Sequence, residues 1–181
     1  MEPITALTDA VLATWTAFLC ALLFARAKVL WASAFAALAV AALAGTAYHC
    51  CRLLPKLVPI AIGLTSLFLG AAIAMAWLAP LARRVAIAVL VLEFIACVIG
   101  VMVMKDWFLV AVYDYLPVLV AVLIACIVRW REPAARFIAA GIAVSFIALG
   151  FQFSRVPYHN DVYHVVQMAA MVLLYRGGVL L

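Results

Sequence analysis

Leu57-Val-Pro-Ile-Ala-Ile-Gly-Leu-Thr-Ser-Leu-Phe-Leu-Gly-Ala-Ala-Ile-Ala-Met-Ala-Trp-Leu-Ala79 runs without one charged residue. A helix needs roughly 20 mostly apolar residues to cross a bilayer, and this stretch is long enough. The same pattern continues in both directions. Upstream lie Ile4–Ala25 and Val29–Cys50; downstream lie Val85–Met104, Trp107–Val128, Ala134–Phe153 and His159–Tyr175. The interruptions are short and carry charge or proline: Arg26 to Lys28, Arg52 to Lys56, Pro80 to Arg84, Lys105-Asp106, Arg129 to Pro133, and Ser154 to Tyr158. Connections of this kind suit antiparallel neighbours. The alternating ten-residue segments of a membrane β-barrel are missing. The expectation is an all-α membrane protein, a seven-transmembrane helical bundle forming one domain over residues 1–181.

Composition agrees. The 181 residues are 72% hydrophobic and 10% charged, with a mean hydropathy of +1.33. A soluble domain averages about 45–50% apolar and about 25% charged. The net charge of +5 is dispersed over short loops, so it reads as a topology signal and not as a nucleic-acid footprint. Arg26, Lys28, Arg83, Arg84, Arg129, Arg131, Arg136 and Arg176 fall on one side, and Arg52, Lys56, Lys105 and Arg155 on the other. That balance predicts the N-terminus outside and the C-terminus inside. Trp107 and Trp130 occupy interfacial positions at opposite ends of the fifth helix. The first apolar run follows no cationic region and contains Asp9, so it reads as a span and not a signal peptide. The setting expected is a bacterial inner (cell) membrane, with lipid as the surrounding partner. Cys20, Cys50, Cys51, Cys97 and Cys126 form no CxxC pair and read as small packing residues. Gly177-Gly178 is expected to end the last helix.

Ionisable groups inside a bilayer are rare and need a reason. Threading seven alternating spans places Asp9 early in the first helix and Thr46 and His49 late in the second. Tyr113 and Asp114 come early in the fifth, Gln152 closes the sixth, and His159, Asn160, Asp161 and His164 open the seventh. All these positions share one end of the bundle, whichever side is inside. Only Glu93, halfway along the fourth helix, stands near the midplane. At about 1.5 Å rise per residue, His164 lies roughly 8 Å deeper than His159. Mutual pairing, a metal or a water-filled pocket must accommodate these groups. Asn160, His164, Gln167 and Met171 form one stripe of the seventh helix. Asp161, three residues before His164, could co-ligate a metal or form a carboxylate–imidazole couple with it. His159 lies about 140° around the helix from His164 and reads as a surface entry residue.

The layout, with His49 ending helix two and a His/Asp cluster opening helix seven, resembles the alkaline ceramidase and adiponectin-receptor-like superfamily. The resemblance implies a zinc site, built there from one helix-two and two helix-seven histidines, and hydrolysis of lipid amides. By position His49 and His164 match two ligands. Asn160 occupies the place of the first helix-seven histidine, and Gly45 the place of a serine, with Thr46 adjacent. Helix three lacks the superfamily's aspartate, for which Asp9, Asp114 or Asp161 would substitute. The expected catalytic acids are thus Asp9, Asp114 and Asp161. The expected zinc ligands are His49, His164 and Asp161 or Asp9, with Thr46, Asn160 and Gln167 as further site wall. The substrate would be a lipid-like amide or ester. Two other readings stay open: binding or transport of a small solute, proton or lipid, and a structural membrane subunit. A retinal protein is excluded, because Lys28, Lys56 and Lys105 all lie at loops or helix ends.

Overall fold

A computed structural model describes residues 3–154 and 158–181. Seven helices follow in order: α1 (Pro3–Phe24), α2 (Val29–Cys51), α3 (Leu57–Trp77), α4 (Pro80–Val103), α5 (Trp107–Val128), α6 (Pro133–Gln152) and α7 (His159–Leu180). No strand occurs among the described residues. Helix starts follow local chemistry. Pro80 and Pro133 open α4 and α6, where a missing N–H costs nothing. Asp106 caps α5 by accepting from the Leu109 N–H at 3.2 Å. Arg155, counted in the charge balance, lies outside the described residues.

Six helices, α1 to α6, are long and apolar enough to cross a membrane, the mark of an integral membrane protein. The sequence suggested seven. α7 has the length, at 22 residues, but its polar opening His159 to His164 lowers its apolar content below that of the others. A second departure concerns its end. Gly177-Gly178 does not stop α7, which continues to Leu180. Both glycines are buried against neighbours: a Cβ on Gly178 would approach Trp31 Cδ2 to 2.7 Å, and one on Gly177 would collide with Ile138. They serve close helix packing, the usual office of small residues in a membrane bundle.

Neighbour relations give the architecture. α1 packs on α2, α2 on α3, α3 on α5, α5 on α6, α6 on α7, and α7 on α1. Six helices therefore close a ring. α4 stays outside it, packed against α3 and α5, and only Cys97 and Val101 of its residues are buried. One end of the ring is filled by a tight apolar core that includes Leu23, Trp31, Leu119, Ile138, Ile142 and Met171. The other end, where α2 finishes and α7 begins, is not filled. Cys20, Cys97 and Cys126 are buried packing residues as expected, whereas Cys50 and Cys51 are exposed at that open end.

Candidate functional site

The open end of the ring encloses a cavity of about 310 Å³, within the size range of small-molecule sites. Its wall is mostly apolar, with Leu38, Ile62, Val112, Leu116 and Leu149 among the contributors. Its polar groups include Asp9 from α1, His49 from α2, Gln152 from α6, and Asn160, His164 and Gln167 from α7.

Asp9 is the hub. Its Oδ1 is 3.1 Å from His164 Nε2, and its Oδ2 is 3.9 Å from His49 Nε2. Asp9 and His164 are 5% and 7% exposed; an ionisable pair so buried survives only because each satisfies the other. Gly45, one turn before His49, makes the approach possible. A Cβ there would stand 2.7 Å from Asp9 Oδ2. The space a side chain at position 45 would take is thus occupied by the Asp9 carboxylate.

The far side of the His164 ring is fixed by Thr8, a residue that sequence reasoning passed over. Its Oγ1 is 2.9 Å from His164 Nδ1, 3.1 Å from Asp161 Oδ1 and 3.0 Å from the Thr5 carbonyl. One hydroxyl proton cannot serve all three neighbours. The arrangement that leaves both Asp161 and His164 bonded has Thr8 donating to Asp161 while accepting from His164 Nδ1–H. Nε2 then faces Asp9 with one proton held between them. That proton moves between carboxylate and imidazole without displacement of any heavy atom, so the pair is equipped for acid–base work.

The remaining expected residues divide. Asp161 does not line the cavity, and its hydrogen-bonded link to His164 runs through Thr8. Gln167 is buried and donates to Ser145 Oγ at 3.4 Å. Asn160 lies on the cavity wall with a buried Oδ1 that has no hydrogen-bond partner among the described residues. Thr46 donates to the Ala42 carbonyl at 3.0 Å and is absent from the wall. Asp114 is also absent from it; it faces α3 and α4, beside Ser66 and Cys97. His159 is half-buried at the entry to α7. Two tyrosines not foreseen, Tyr115 and Tyr163, contribute to the wall.

The donor types around Asp9, two imidazoles and a carboxylate, are those of zinc sites. The 3.1 Å Asp9–His164 edge fits two ligands of one tetrahedral ion, whose edge is roughly 3.3 Å at metal–ligand distances of about 2.0–2.1 Å. The 3.9 Å edge to His49 is longer. Among the described residues no group of three or more His, Cys, Asp or Glu side chains is arranged to hold a metal ion.

Fold and site together define a helical integral membrane protein with a buried Asp–His pair on the wall of an intramembrane cavity. Residues 4–181 match the family described as Family of unknown function (DUF6962), and the chain belongs to that family. No curated protein and no solved structure matches it.

Proposed function

We propose that this protein takes an amphiphile into its ring cavity and hydrolyses a lipid-like amide or ester bond at Asp9, His49 and His164. The observation that carries the reading is the Asp9–His164 hydrogen bond on the wall of a largely apolar cavity. Such a wall suits an acyl chain, and the polar groups suit its head group. The bond between carbonyl carbon and leaving oxygen or nitrogen breaks as a water oxygen adds to that carbon. His49 accepts the water's proton, and the Asp9–His164 pair gives its shared proton to the leaving group. Transfer from His49 to Asp9 then resets the site. Zinc, which the superfamily resemblance brings with it, would be held by His49, His164 and Asp9 in place of their shared proton, and would then polarise the carbonyl and acidify water itself, the proton relay above being the metal-free form of the site.

The reading places the cavity end outside a bacterial inner membrane, from the Lys and Arg balance. Cys50 and Cys51 are exposed at that end, so a membrane-impermeant maleimide added to intact cells should label them. Labelling only after permeabilisation reverses the orientation.

The chemistry is tested with purified protein in nanodiscs, a panel of fluorescent acyl esters and acyl amides, and metal analysis of the same sample. Turnover that disappears in His164→Ala and Asp9→Asn supports hydrolysis. Binding of the panel without turnover, with or without zinc, sinks hydrolysis and leaves a lipid-binding or transport protein.

A further inference from the structure

Beneath the open-end cavity lies a second void of about 10 Å³, room for a single water. Trp31, Leu69, Met171 and Leu174 are on its wall, all members of the apolar core. Three residues line both spaces: Leu38 of α2, Thr65 of α3 and Tyr115 of α5. They form the partition between cavity and void, a single layer of side chains. Thr65 donates its hydroxyl to the Ala61 carbonyl of its own helix at 3.0 Å, so its proton is not offered to a ligand.

Two helices measure how far this partition lies from the Asp9–His164 pair. On α2, Leu38 is seven residues from Gly45, the residue that lies against Asp9. On α7, Met171 of the lower void is seven residues from His164. At about 1.5 Å rise per residue, both intervals are roughly 10 Å. The residues lining the cavity are all buried or half-buried, so a chain taken in at the open end runs down the ring axis. An extended carbon chain advances roughly 1.3 Å per carbon, from C–C bonds of about 1.5 Å. The space below the polar pair therefore ends after about six to eight carbons.

We propose, resting on the reading of the cavity as an amphiphile site, that Leu38, Thr65 and Tyr115 form an acyl-chain gauge that selects amphiphiles with a chain of about six to eight carbons. The gauge acts on binding, whether or not the bound molecule is hydrolysed. Up to the limit, each carbon buried against the apolar wall should tighten binding about four-fold. A longer chain meets the partition and gains nothing further. Leu38→Ala joins the cavity to the void below and opens a path to the level of Met171.

The test uses the purified full chain in amphipol and straight-chain 1-alkanols of about four to fourteen carbons, read by displacement of a polarity-sensitive dye. Acyl nitrophenyl esters and nitroanilides of the same lengths report turnover. In the wild type, affinity should climb with length and break at six to eight carbons. Leu38→Ala should move the break up by two to three carbons, and Leu38→Phe should move it down. Leu149→Ala removes the same side chain from the wall of the same cavity, but only three residues from the end of α6, and should leave the break in place. Circular dichroism matching the wild type establishes that each variant is folded. A break unmoved in folded Leu38 variants, or moved as far by Leu149→Ala, overturns the gauge. If the break moves but no ester or amide turns over, the gauge stands and hydrolysis falls. If turnover occurs with a length profile indifferent to Leu38, hydrolysis stands and the gauge falls. Alkanols that displace no dye at any length overturn the gauge and the amphiphile reading together.

Discussion

Asp9 and Asp114 are equally buried, each 5% exposed, in neighbouring regions of one small bundle. Asp9 is inside the helix ring, bonded to His164 and facing His49. Asp114 is outside it, between α3, α5 and the peripheral α4, with only the Ser66 hydroxyl and the Cys97 thiol beside its carboxyl. Burial alone therefore says little about what an acid does. What differs is what the packing brings opposite it. Ring closure collects side chains from α1, α2 and α7 around one carboxylate. The three-helix corner offers Asp114 only a hydroxyl and a thiol, each of which also reaches a helix carbonyl. Removing Asp9 takes from His164 the partner of its buried Nε2, whereas removing Asp114 leaves a hydroxyl and a thiol that also reach helix carbonyls.

The largest effect should follow from breaking the partnered side. Asp9→Leu leaves His164 and His49 facing an apolar side chain and is expected to cost about 3 kcal/mol of stability, with loss of any activity. Thermal unfolding in detergent measures it. A double-mutant cycle with His164→Ala should return a coupling of about 1–3 kcal/mol. Additivity would mean that the two residues do not act as a pair.

Next comes the space that the pair requires. Gly45→Ala inserts a Cβ where Asp9 Oδ2 now lies, 2.7 Å away. Overpacking of this kind costs about 1–3 kcal/mol. The wild-type melting temperature together with full activity in Gly45→Ala would show that Asp9 does not need α2 at such close range. Gly45→Ser should fare no better, because the obstacle is the Cβ and not the polarity.

The axial half of this site was legible in the sequence and the azimuthal half was not. Span boundaries and alternation fix how deep each polar residue lies, which is why Asp9, His49, Asn160 and His164 were foreseen at one end. Depth cannot say which helices face one another. Asp114 shares that end, yet α5 turns it toward α3 and α4, and the exclusion of α4 from the ring follows from packing that the short loops do not encode. Thr8 was invisible for another reason. A threonine in an apolar helix ordinarily bonds its own backbone, as Thr16 does to the Leu12 carbonyl at 2.7 Å. Only the arrival of α7 gives Thr8 its imidazole. The glycine pair of α7 follows the same logic: Gly177-Gly178 resembles a stop signal until Trp31 and Ile138 are placed against it.

Thr8 supplies a smaller and more specific way to sharpen the contrast. Thr8→Val keeps shape and removes the hydroxyl, at a cost of about 1 kcal/mol. Its informative readout is the imidazole itself. In nitrogen-15 spectra of selectively labelled protein, the His164 Nδ1–H form should dominate in the wild type and give way to the Nε2–H form in Thr8→Val. An unchanged tautomer would mean that Asp9, and not the Thr8–Asp161 arm, fixes the ring.

The smallest effect is expected at the Asp114 corner. Asp114→Leu replaces a carboxyl whose neighbours are the Ser66 hydroxyl and the Cys97 thiol by an apolar side chain of similar length, and both neighbours keep their helix carbonyls. Exchanges of this type are neutral or stabilising when the groups left behind stay hydrogen-bonded elsewhere. The melting temperature should stay level or rise, in contrast to the loss for Asp9→Leu, although the two acids are buried alike. A fall of the same size as that of Asp9→Leu would mean that Asp114 holds its three helices together through a contact as strong as the Asp9–His164 bond. The division between a ring interior that organises its acid and a corner that offers one only a hydroxyl and a thiol would then not hold.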